Sequence, residues 1–182
     1  MAASEAVARR YAEALFAAAR SGDQIDAVEQ DLALLADLTR QSPRVLEMLR
    51  NPILPSDRKR EIVQRLVGGS VQPVTLRLLD LLIEKRRSEV LPHLEPLFID
   101  MANEYRGVLP ATVASAMPLT PEEERTLAAR LSAMTGKQVV LQTQVEPELI
   151  GGMCVHVGDT VIDGTVVGYL RQLRAQLKEA LF

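Results

Sequence analysis

Residues 147–170 read PELIGGMCVHVGDTVIDGTVVGYL, an order of residue types that spells strand, tight turn, second strand and helix start. Gly151-Gly152 supplies backbone freedom at the entry, and Met153 to Val157 alternates as a strand. Gly158-Asp159 suits a two-residue hairpin turn, from which Val161-Ile162 returns. Asp163 then serves as the cap of a helix whose first turn holds Gly164 and Thr165 and whose body carries Leu170, Leu173, Leu177 and Leu181 at helical spacing. A glycine-rich loop before a helix is also how proteins cradle phosphate. Here no Lys-Ser/Thr pair follows, and the glycines fit neither nucleotide fingerprint, so the structural reading is preferred.

Upstream of this segment the pattern changes character at Gly107. From Ser4 to about Tyr105 every periodic stretch is helical. Ser4 is expected to cap a first helix with Val7, Tyr11, Leu15 and Ala18 as its stripe, ended by Ser21-Gly22. A second helix spans about Gln24 to Thr39, with Ile25, Val28, Leu32, Leu35 and Leu38 inward. Ser42-Pro43 opens a short third that stops at Asn51-Pro52, because the residue before proline disfavours helix. Ser56 opens a fourth, terminated by Gly68-Gly69. A fifth starts at Pro73 or Val74 and carries two stripes, Leu76, Leu79, Ile83 and Leu78, Leu81, Leu82. One buried face cannot take them all, so this helix is either central in its bundle or covered by a partner. A sixth runs from about Leu91 to Tyr105, with Pro96 costing it a backbone hydrogen bond.

Beyond Gly107, Val108 to Ala116 reads as a strand whose Pro110 implies an edge position or an irregular start. Thr120-Pro121-Glu122-Glu123 is a capping box with proline at the first helical position, and Gly136 ends that helix. Gln138 to Val145 alternates as another strand. The expected fold is therefore α+β: an N-terminal six-helix bundle over residues 1–106, then a small α/β domain over 107–182.

Composition narrows what such a chain can do. Of 182 residues 47% are hydrophobic, enough for a real core, yet only 3% are aromatic and Trp is absent, so aliphatic and Ala packing must supply it and base stacking is disfavoured. A formal charge of -3 and a pI near 5.5 argue against a general nucleic-acid binder. The single cysteine, Cys154, forms no internal disulfide and is expected to be a small buried hydrophobe. No apolar run approaches the roughly 18–20 residues of a membrane span. Glu5 and Glu13 come too early for a transit peptide, so the chain is expected to be made and kept in a cytoplasm.

Candidate chemical groups find plainer roles. His93 and His156 belong to no metal-ligand pair; His156 lies opposite Val155 and Val157 in its strand, and His93 falls in a solvated first turn. Asp159 and Asp163 suit the turn and the cap better than paired catalysis. Arg58-Lys59-Arg60 and Lys85-Arg86-Arg87 are basic clusters with acids beside them, which reads as solvated helix ends rather than phosphate or lipid contacts. Neither a catalytic residue, a cofactor nor a metal is expected.

The segment at 147–170 resembles the C-terminal signature of the delta subunit of rotary ATP synthases, the oligomycin sensitivity conferring protein family. Gly151, Gly152, Gly158, Asp159, Asp163 and Gly164 are the positions of that signature. Ala8-Arg9-Arg10-Tyr11-Ala12-Glu13-Ala14-Leu15-Phe16 is similar to the family's first helix, Asn51-Pro52 with Lys59-Arg60 to its helix three to four junction, and Met117-Pro118-Leu119-Thr120 to the entry of its C-terminal helix. The resemblance implies a non-catalytic stator component in which the helical bundle grips the N-terminal helix of an alpha subunit and the C-terminal domain holds the end of the b-type stalk. The complex would lie at the cytoplasmic face of the cell membrane, with the chain itself making no membrane span and binding no nucleic acid. The implied alpha-binding residues are Tyr11, Ala14 and Leu15 on the first helix and Leu78, Leu81 and Leu82 on the fifth. Val167 and Tyr169 depart from the family, which often has basic residues there, so an apolar contact replaces an ionic one. Two other classes compete: a helical adaptor unrelated to ATP synthase, and a small enzyme using Gly151 to Asp163 as a ligand loop.

Overall fold

A computed structural model of the chain describes residues 2–158 and 160–180. Among them are eight α-helices and one four-stranded sheet, an α+β architecture. Two compact units divide the chain, residues 1–102 and 103–182.

The first unit is helical. Its elements are α1 (Ala2–Ser21), α2 (Ile25–Gln41), α3 (Pro43–Arg50), α4 (Ser56–Val67), α5 (Pro73–Glu84), a 3₁₀ turn at Ser88–Val90, and α6 (Leu91–Arg106), whose last residues cross into the second unit. Two expectations for α1 need correcting. It starts before Ser4, so Ser4 is not its cap, and its innermost residues are Ala8, Ala12, Leu15 and Ala19, while Ala18 is exposed. The buried stripe is rotated because side chains that end at Cβ let neighbouring helices come closest; the larger Val7, Tyr11 and Phe16 flank that line, half-buried. Phe16 meets Phe98 of α6 edge to face, with ring centroids 5.7 Å apart. α6 continues through Pro96 as one helix.

α5 packs against α1, α2 and α4, so it is central in the bundle, while Leu81 of its doubled stripe stays exposed. Thr75, Leu78, Leu79, Leu82 and Ile83 are all buried. No side chain of its own caps α5. The cap comes from α2: the buried Asp31 carboxylate accepts from the Gln72 backbone N–H at 2.7 Å and from the Thr75 hydroxyl at 2.6 Å. An anion at a helix N-terminus satisfies free N–H groups and opposes the macrodipole, so this one side chain both caps α5 and fixes its rotation.

The second unit holds β1 (Val108–Ser115), α7 (Pro121–Thr135), β2 (Gln138–Val145), β3 (Met153–Val157), β4 (Thr160–Asp163) and α8 (Val166–Ala180). Strand order is β2-β1-β3-β4, with β1 and β2 parallel and the other pairs antiparallel. α7 makes the crossover that a parallel pair requires. It begins on the expected box, Thr120 N–H donating to Glu123 at 2.8 Å, and ends at Gly136 with φ 68°. Ala111, Val113, Val139, Val155 and Val157 form a core with Leu131 of α7.

Of the two readings of Pro110, the edge position is removed because β1 is an inner strand, and the irregular start remains. Gly107 and Ser115 carbonyls accept from β2's side, at 3.1 and 2.8 Å, while Ala116 N–H donates to Gly152 on β3's side at 3.3 Å. Backbone groups alternate in direction along a strand, so Pro110 faces β3's side, one residue before that pairing starts at Ala111. The missing N–H removes no ladder bond.

Replacing Asp31 by Ala is expected to cost about 1.5–3 kcal/mol for each charge-assisted bond lost. Urea unfolding of the full chain followed by far-UV circular dichroism measures this. The double variant Asp31→Ala, Thr75→Val should recover part of the loss, since it no longer leaves a buried hydroxyl unpaired.

Candidate functional site

Two backbone bonds tie the 147–170 segment together and a third joins it to the residue after β1. The Gly151 carbonyl accepts from Val166 at 3.0 Å, the Gly152 carbonyl from Ala116 at 3.3 Å, and the Met153 carbonyl from Gly164 at 3.0 Å. Gly152 has φ 81°, and a Cβ there would run into the Gly164 carbonyl, so both conformation and space demand glycine. Val157 pairs with Thr160, leaving the expected two-residue connection, in which Gly158 has φ 55°. Asp159 lies outside the described residues.

The cap of α8 differs from the one expected. The helix begins at Val166, and Thr165 does the capping, its hydroxyl accepting from Gly168 N–H at 2.9 Å. Asp163, the last residue of β4, stands behind it, accepting from Thr165 N–H at 2.9 Å and from the Thr165 hydroxyl at 2.7 Å. These two bonds hold the Asp163 carboxyl below its ordinary value. A Cβ on Gly168 would meet the same carboxylate. The chain thus fills this helix N-terminus with its own acid.

Reactive chemistry finds little support in the remaining groups. Cys154 is half-buried rather than buried, with its Sγ 3.6 Å from His156 Nε2. Burial first, then the Asp163 and Glu146 carboxylates, push its thiol up, opposite to the activation a nucleophile needs. His156 and His93 are exposed. Among the described residues no group of three or more metal-ligating side chains converges. Arg58 pairs with Glu61 at 3.0 Å, and Lys85 with Glu84 at 3.1 Å, as solvated helix residues do. Lys59 corrects that reading: it is only 6% exposed, and its ammonium donates to the Leu49 carbonyl at 2.7 Å.

The apolar residues expected to face a partner divide between core and surface. α1 and α5 do pack together. Leu15, Leu78 and Leu82 lie in the core with Leu79, Tyr11 and Leu76 are half-buried, and Ala14 and Leu81 are exposed, the latter by 39%. On α8 the stripe Val166, Tyr169, Leu170 and Leu173 is uncovered, Tyr169 by 66% and Leu170 by 55%. That exposed stripe went unread because an apolar period looks the same whether a core or a partner covers it.

A family model described as "ATP synthase delta (OSCP) subunit" matches residues 7–177. The chain belongs to that family. It is 36% identical over 177 residues to the ATP synthase subunit delta of Syntrophomonas wolfei, covering 97% of each, and 39% identical to that of Symbiobacterium thermophilum, covering 97% of this chain and 95% of the relative. The structure is similar to a chain of the Toxoplasma gondii mitochondrial ATP synthase hexamer, with TM-score 0.68 and 26% identity over 93% of this chain and 96% of that one. A delta subunit is a non-catalytic component of the ATP synthase stator, and neither an unrelated adaptor nor a small enzyme fits a match of this extent. No helix among the described residues is long and apolar enough to cross a membrane.

Thr165→Ala should lower the stability of the C-terminal unit by about 0.5–2 kcal/mol, with Thr165→Ser close to wild type, in thermal unfolding. Asp163 adds an acid dependence with a definite sign. Because its folded value lies below the ordinary 3.8, its contribution is present above that pH and is withdrawn as the pH falls through the lower folded value. Asp163→Asn is expected to flatten that part of the stability curve.

Proposed function

We propose that this member of the delta family clamps two partners, one on each compact unit, so that the catalytic head does not turn with the central rotor. The six helices of residues 1–106 act as one bundle that takes the N-terminal helix of an alpha subunit over α1 and α5, where Tyr11, Ala14 and Leu81 remain accessible. Residues 107–182 hold the C-terminal end of the b-type stalk, and the Val166, Tyr169, Leu170 and Leu173 face of α8 receives it. The complex places the chain at the cytoplasmic face of the bacterial cell membrane.

The observation that supports this reading is the open apolar stripe of α8 beside an acid-filled helix N-terminus: the unit offers a helix-binding face and no vacant ligand loop. Leu15, Leu78 and Leu82 enter the alpha site indirectly, by holding the surface that Tyr11, Ala14 and Leu81 present. Tyr169, exposed where the family often carries a basic residue, gives the stalk contact an apolar body with a polar tip.

Calorimetry on the full chain tests both halves with two synthetic helices, one from the N-terminus of the organism's own alpha protein and one from the C-terminal end of its b-type stalk. Each should bind with a negative heat-capacity change, as apolar burial requires. Leu81→Asp is expected to weaken the alpha peptide at least about tenfold and leave the stalk peptide unchanged, and Leu170→Asp the reverse. Equal effects of both variants on both peptides, or no binding by a folded chain, would sink the assignment.

A further inference from the structure

The two basic clusters that sequence reading treated as solvated helix ends meet at one cavity in the helical unit. Its volume is about 480 Å³, within the range of small-molecule sites, and Arg50, Ser56, Lys59, Arg86 and Ser88 line it with Glu89. Lys59 comes from the first cluster and Arg86 from the second. The Lys59 ammonium has three donors, of which the Leu49 carbonyl takes one, and no carboxylate among the described residues lies within ion-pair distance of it. A buried ammonium without a counter-charge is costly. Arg50 and Arg86 likewise have no ion-pair partner among the described residues, whereas Glu89 is engaged by Arg87 at 3.5 Å.

Two further groups point the same way. Ser88 is 5% exposed, and its Oγ is buried with no hydrogen-bond partner among the described residues. α4 carries no side-chain cap, and its first intrahelical bond is Lys59 N–H to the Pro55 carbonyl, so the N–H groups of its opening turn are not taken up within the helix. Pro55 and Ser56 bring that positive end of the dipole to the cavity wall.

We propose that this cavity, between the end of α3, the start of α4 and the Arg86–Glu89 turn, binds a phosphate-class oxyanion, free or carried on a small molecule. A carboxylate presents two oxygens in one plane. Donors here arrive from three chain segments, which suits a tetrahedral anion with more oxygens and more charge. A cation is excluded by the surplus of lysine and arginine over the single, already paired Glu89.

Titration of the full chain with inorganic phosphate and, separately, with glycerol 3-phosphate tests the site, using thermal shift and calorimetry at ionic strength matched with chloride. Saturable binding of inorganic phosphate identifies a free anion, and saturable binding of glycerol 3-phosphate alone identifies a carried phosphoryl group. In either case Ser88→Ala and Arg86→Ala should each weaken binding by roughly tenfold. Neither variant removes a bond from the unliganded fold, so the test survives if Lys59→Met fails to fold. No saturable binding of either probe, stabilisation equalled by chloride, or affinity unchanged in both variants would overturn the proposal.

Discussion

The Asp31 carboxylate is the constraint on which the helical unit depends, because it gives a direction to a helix that hydrophobicity alone leaves free. α5 is apolar on most of its surface, and burial rewards many rotations of such a helix almost equally. Hydrogen bonds at 2.7 and 2.6 Å to Gln72 and Thr75 select one of them. Once α5 is set, Leu78, Leu79, Leu82 and Ile83 turn to the core and Leu81 to solvent. The surface that α5 leaves exposed is a consequence of one buried acid on another helix.

The second unit reaches the same end by steric means. Gly152 lets its backbone approach the Gly164 carbonyl closer than a Cβ permits, and Asp163, Thr165 and Gly168 then start α8 from a fixed point. None of these residues is poised for reaction, and the acid that resembles a catalytic group is spent on orienting a threonine. A stator component needs fixed contacts rather than a nucleophile, and the exposed stripe of α8 follows directly on this capped joint.

Local grammar was legible in the sequence and long-range pairing was not. Helix boundaries, the Thr120–Glu123 box and the Gly158 turn each depend on residues within about four positions of one another, where turn and cap chemistry acts. Asp31 meets groups 41 and 44 residues away, which no period reveals. Lys59 read as solvated because charge usually is, yet its stem crosses to a carbonyl ten residues earlier. Pro110 left an edge position and an irregular start both open, because a strand's neighbours cannot be seen from its own composition. At the candidate site, the leucines of α1 and α5 were legible as apolar, and as neighbours only through the family resemblance, but which of them stays accessible is set by tertiary packing. Asp163 and Thr165 are both good caps, and a two-residue offset in where α8 starts decides between them.

As a member of the delta family, this chain couples rather than catalyses. The most direct measurement reconstitutes the organism's ATP synthase into vesicles with and without the chain, following ATP hydrolysis and ATP-driven proton uptake together. Hydrolysis should persist in its absence while proton uptake collapses, and adding the chain should restore uptake. Proton uptake that is indifferent to the chain, or ATP turnover by the chain alone, would contradict the claim.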